Sequence, residues 1–208
     1  MCLKISGSVA KHLFFMFKRQ FLYSATASFL GLVFFTGGMS KLYFDHRFPG
    51  VIGPVWLADR LQEYGLAFFA QFIAAAQITI GFMVLTPRYR TLGAVMLVPM
   101  IANILLVTIS LQWRGTPFVL AFFLLLNMAL LLHDAPRLLH LVTGRPHPFP
   151  EAVPPRSWHG HLAWFSGLGL VFVGVGLSYY VLPLSYIVVV AGVVLARFSG
   201  RLDSLETK

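Results

Sequence analysis

Long apolar blocks, each close to one bilayer crossing in length, alternate along this chain with short connections rich in Lys and Arg. A helix crossing the hydrocarbon needs about 20 mostly apolar residues. By that measure spans are expected at Phe21–Phe44, Tyr64–Leu85, Thr91–Leu111, Pro117–Leu132, Leu162–Tyr179 and Pro183–Phe198. Composition supports the same solvent. Only 11% of the 208 residues are charged, against roughly 25% in a soluble domain, and the mean hydropathy is +0.78. The expected fold is all-α: a polytopic transmembrane bundle of six spans.

The formal net charge of +9 does not point to nucleic acid, because the cations form no stripe or patch. They sit between the apolar blocks. With the N-terminus inside, twelve of the sixteen Lys and Arg fall on inner segments, and only Lys41, Arg47, Arg60 and Arg114 fall outside. The positive-inside rule therefore predicts both termini in the cytoplasm, and a bacterial inner membrane is the expected location. The run from Phe21 is too long for a signal-peptide core of roughly 7–15 residues, so it reads as a retained span. The single cysteine, Cys2, permits no internal disulfide and no CxxC pair.

These connections divide the chain into an N-terminal cytoplasmic segment (1–20), a four-helix module (21–135), a Pro- and His-rich cytoplasmic linker (136–160), a terminal hairpin (161–198) and a tail (199–208). Between the first two spans, Pro49, Gly50, Gly53 and Pro54 predict a turn. A short interfacial helix follows, with Trp56 at headgroup depth. A single helix over 162–198 would be roughly 55 Å long, too long for one bilayer. Pro183 suits a helix start, which favours a tight turn near 177–184 over a re-entrant kink.

Few side chains inside the spans carry chemistry. Lys41 ends the first span after Gly37 and Gly38. It reads either as a lysine reaching to the interface or as a cation facing the bundle interior, paired with Asp45, Asp59, Glu63 or a bound anion. Gln77, Asn103 and Asn127 lie roughly 14–20 Å deep on three different helices. They are expected to meet in the interior, either as interhelical glue or as a small polar pocket suited to a quinone-like carbonyl. Pro99 frees the carbonyl of Val95, which Asn103 or a nearby hydroxyl is placed to satisfy. Gly160, Gly167 and Gly174, with Gly169 and Gly176, recur every seven residues and form a small-residue strip for close packing against a partner helix.

No span holds the facing histidines that a haem needs. His159-Gly160-His161 supplies too few ligands for a zinc site, and no metal site is expected. No nucleophile–base set or carboxylate pair is readable, which weighs against an enzyme. The scarcity of intramembrane charge weighs against an ion-coupled pump.

Residues 21–140 resemble the DoxX-like family of small four-helix membrane proteins. The resemblance rests on Gly38-Met39-Ser40-Lys41-Leu42, on Gln77-Ile78-Thr79-Ile80-Gly81 with the basic turn Pro87-Arg88-Tyr89-Arg90, on Pro99 with Asn103, and on Gly115-Thr116-Pro117 followed by Asp134. It implies a membrane subunit associated with oxidoreductases, in a family with links to sulfur oxidation and quinone reduction. Many relatives carry glutamate where Gln77 stands, and the hairpin after residue 160 lies outside the shared module. The leading expectation is a non-catalytic subunit or scaffold that packs on other membrane subunits through small-residue faces. The alternative is a quinone- or lipid-binding component of an oxidoreductase system.

Overall fold

The computed structural model describes residues 3–52, 57–143 and 156–206; Cys2, Trp56 and part of the Pro- and His-rich linker lie outside them. Seven α-helices occur among the described residues: α1 (Leu3–Leu42), α2 (Leu57–Glu63), α3 (Ala67–Leu85), α4 (Arg90–Ser110), α5 (Thr116–Thr143), α6 (Trp158–Leu177) and α7 (Leu182–Glu206). All except α2 contain a stretch long and apolar enough to cross a bilayer; in α1 it is Lys18–Leu42. The protein is an integral membrane helix bundle. Phe68, Phe118, Leu125 and Leu132 are among many large apolar side chains turned outward, as lipid contact requires.

Several boundaries differ from the sequence expectation. At 40 residues, α1 is about 60 Å long, about twice the hydrocarbon thickness, so the expected N-terminal segment is a helical extension of the first span. α5 runs through Pro136 to Thr143, which places the start of the linker later than expected. A proline removes only one N–H and its partner bond, and here it lies in the last turns, where Pro136 is exposed. The 177–184 segment is a complete turn, since α6 and α7 run antiparallel over their length, with Gly174 near Ser185 and Gly167 against Gly192.

The architecture has a central pair and two flanks. α1 and α3 pack closely because glycines face backbone. A Cβ on Gly31 would come within 2.5 Å of the Leu85 nitrogen, and one on Gly38 within 2.6 Å of the Ala74 carbonyl oxygen. One core cluster joins this pair to α4 and α5 through Leu30, Phe34, Ile80, Leu97, Ile101 and Phe123. A second joins it to the hairpin through Phe35, Met39, Phe82, Trp164, Val171 and Val189. This second contact is made by large side chains; the Phe82 and Trp164 rings lie 5.2 Å apart at 62°.

Polar contacts fasten the hairpin at both ends. Near the end of α1, the Phe44 N–H donates to Ser178 Oγ (3.1 Å) and the Tyr186 hydroxyl to the Arg47 carbonyl (2.8 Å). At the opposite end Arg88 Nη1 meets Asp203 Oδ2 at 2.8 Å. Arg88 also donates to the carbonyl of Ser157 (2.9 Å). The Arg88 side chain is 2% exposed and that of Asp203 15%. A buried guanidinium needs this many acceptors to offset its lost hydration.

Candidate functional site

Lys41 lies at the last turn of α1, where a lysine seeking the interface would extend beyond the helix end. Its side chain instead turns back along the helix, as Cα–Cβ bonds direct, and Nζ donates to the Gly37 carbonyl at 3.1 Å. A second bond, 2.8 Å long, goes to Gln77 Oε1 on α3. Gln77 lies ten residues into α3, about 15 Å along its axis from the Ala67 end. Lys41 is thus a half-buried cation whose ammonium faces the bundle.

None of the expected carboxylate partners reaches Lys41. Asp45 pairs with Arg47 (3.2 Å), Asp59 with His46 (4.0 Å) and Glu63 with Arg60 (2.9 Å). Of its three N–H donors, two are used, by a carbonyl and a neutral amide, and Lys41 makes no ion pair among the described residues.

A cavity of about 410 Å³ opens beside this ammonium, within the size range of small-molecule sites. Its polar part is Lys41, Gln77, Thr116 and Arg114; its apolar part is Val33, Phe34, Ile104, Val119, Leu120 and Phe123. No carboxylate lines it among the described residues. Phe34 and Phe123, both 3% exposed, meet edge to face at 6.1 Å.

Local backbone geometry supplies the remaining lining. After α1 the chain reverses through Asp45 (φ 50°) and His46 (φ 53°), a left-handed conformation uncommon for residues other than glycine. The reversal is tied down by His46 Nδ1 to the Ser40 carbonyl (2.9 Å) and by the Val51 N–H to Thr36 Oγ1 (3.3 Å). It carries Ile52 to the cavity. On the other side Gly115, at φ +93°, makes the turn into α5 that only glycine adopts without strain, and this sets Arg114 and Thr116 at the cavity. Arg114 is exposed and makes no ion pair among the described residues.

The three span amides do not converge as expected. Gln77 serves Lys41. Asn127 is fully buried and its Nδ2 donates to the Ala94 carbonyl at 2.9 Å, while its Oδ1 has no partner among the described residues. Asn103 is exposed on the outer side of α4. The cross-helix amide bond to α4 therefore comes from Asn127, to the carbonyl preceding the one that Pro99 frees. Helical rotation is the cause: Ile101 and Ile104 face the core, which turns Asn103 away from it.

The glycine strip also divides. Gly167 and Gly174 face α7, where a Cβ on Gly167 would come within 2.6 Å of the Gly192 carbonyl oxygen. Gly160 abuts Arg88 and Asp203, whereas Gly169 and Gly176 face open space. His161 Nδ1 accepts from Arg88 Nε at 3.3 Å and also lies in contact with the Tyr89 hydroxyl. No group of three metal-binding side chains converges among the described residues.

Sequence reading placed Lys41 and Gln77 in the site but missed Arg114 and the two phenylalanines. A signal for Arg114 was present. It belongs with Lys41, Arg47 and Arg60 in the segments expected outside, where only three carboxylates occur. No protein-family model, no curated protein and no solved structure matches this chain.

Proposed function

We propose that this protein binds an amphipathic lipid or quinone in the cavity between α1, α3, α4 and α5, as a DoxX-like component of a bacterial inner-membrane oxidoreductase system. The observation that carries this reading is a single cavity with a cation and an amide along one side and aliphatic and aromatic side chains along the other. An ionisable group that faces the interior of a membrane bundle points to a functional site by default, because holding it there is costly. In this reading the ligand's polar end rests on Lys41 and Gln77 and its apolar end on Leu120 and Phe123. Both termini lie in the cytoplasm, so the cavity opens towards the outer leaflet. Solvent extraction of the gently purified protein, followed by mass spectrometry, tests the binding role. A lipid or isoprenoid retained by the native chain and lost from Leu120→Trp, which fills the cavity, is expected. Equal retention by both proteins, or none by either, would contradict it.

One observation favours a second reading, membership of a larger complex. Asn103 is exposed on a membrane-spanning face of α4 and makes no hydrogen bond among the described residues. A carboxamide facing lipid gains from a neighbouring helix that bonds it. On this reading an Asn103→Leu variant migrates at lower mass than the native protein on a native gel. Identical migration counts against it.

A further inference from the structure

Resting on the binding role just proposed, we infer that the cavity selects an amphiphile with an anionic headgroup, a carboxylate or a phosphate, over a neutral one such as a quinone or an alcohol. The inference follows from charge accounting at this end of the bundle. Four cations lie there: Arg47 and Arg60 each pair with a carboxylate, and the two others, Lys41 and Arg114, line the same cavity. None of the three carboxylates of the same end lines the cavity: Asp45 and Glu63 pair with arginines, and Asp59 lies 4.0 Å from the His46 ring. Among the described residues the cavity is therefore lined by two positively charged side chains and no negatively charged one.

Holding an ammonium away from bulk water without a counter-charge is costly. Gln77 offers Lys41 only a dipole. A neutral carbonyl entering the cavity would add another dipole and leave both charges in place. An anion would take the remaining Lys41 donor and offer oxygens to the guanidinium of Arg114, and hydrogen bonds between opposite charges are the strongest of their kind. The apolar wall that runs inward to Phe34 and Phe123 accommodates a chain attached to that head. Carboxylate and phosphate heads share this chemistry, so a free fatty acid and an anionic phospholipid are the two sources to be separated.

The test uses the full chain in phosphatidylcholine nanodiscs with photoactivatable diazirine probes: hexadecanoic acid, hexadecanol and a phosphatidylglycerol. Labelled residues are mapped by peptide mass spectrometry. The acid, the phosphatidylglycerol or both should label residues 119–123 about tenfold more than the alcohol, the scale of a hydrogen bond between charged partners. Which of the two labels identifies the source. Gln77→Glu is nearly isosteric and supplies the missing counter-charge to Lys41. It should lower the acid-to-alcohol labelling ratio, with Arg114 still in place, without lowering the thermal midpoint, which separates loss of charge from loss of fold. Arg114→Gln should lower the acid-to-alcohol ratio in the same direction. Equal labelling of 119–123 by acid, phospholipid and alcohol, unaltered by Gln77→Glu, would overturn the anionic preference and leave an amphiphile site standing. Failure of every probe to label 119–123 would overturn the binding role itself, and this inference with it.

Discussion

Gln77 and Asn127 are both carboxamides within spans, and they are held in different ways. Gln77 directs its oxygen at a cation. Asn127 spends its nitrogen on a backbone carbonyl and leaves its buried oxygen without a partner among the described residues. A half-satisfied buried amide gives back in desolvation much of what its one bond provides. Asn127→Leu is therefore expected to change stability by no more than about 1 kcal/mol, measured as the unfolding midpoint in detergent. A large loss would mean that the oxygen has a partner after all. These amides also mark the limit of what the sequence discloses at this scale. Counting residues gives depth in the membrane but not rotation about the helix axis. Asn103 was legible as a deep polar residue, yet its direction depends on which face of α4 Ile101 and Ile104 commit to the core.

Among the elements, the glycines sort helix contacts into two kinds. A Cβ on Gly81 would collide with the backbone of Phe35 on α1, and backbone cannot yield as a flexible side chain can. Gly81→Ala should cost about 1–3 kcal/mol, the usual range for overpacking a tight contact. Gly169 faces open space, so Gly169→Ala should instead stabilise its helix by about 0.5–1 kcal/mol. Thermal unfolding of the two variants side by side checks the contrast; equal effects would contradict the α1–α3 geometry. The seven-residue glycine repeat was visible in the sequence. That the Gly167 and Gly174 side of it serves α7 of the same chain was not visible, because spacing shows that a helix approaches closely without showing which one. The helices themselves were legible, since an apolar block of bilayer length has few alternatives. Their ends were less so, as α5 continues through Pro136.

For the whole molecule, the decisive contact outside the cavity is the Arg88–Asp203 pair, which joins the α3–α4 turn to the end of the hairpin. Removing one partner leaves a buried charge exposed to no counter-charge, at a cost of about 3–5 kcal/mol. Asp203→Asn should lower the unfolding midpoint accordingly. The double variant Arg88→Met, Asp203→Leu should recover much of the loss, because a matched apolar pair avoids the desolvation penalty. No recovery would show that the Ser157 and His161 contacts of Arg88 matter more than the ion pair. Nothing in the sequence suggested this pairing, since the two residues lie 115 positions apart. The same architecture leaves the cavity on the flank away from the hairpin, between α1, α3, α4 and α5, with Lys41 and Arg114 on its wall. Experimental density for the protein purified from its own membrane tests that arrangement most directly. Elongated density with its polar end within hydrogen-bond reach of Lys41 Nζ, running along Leu120 and Phe123, is the predicted result. A cavity closed by its own side chains, with Lys41 turned outward to the interface, would contradict it.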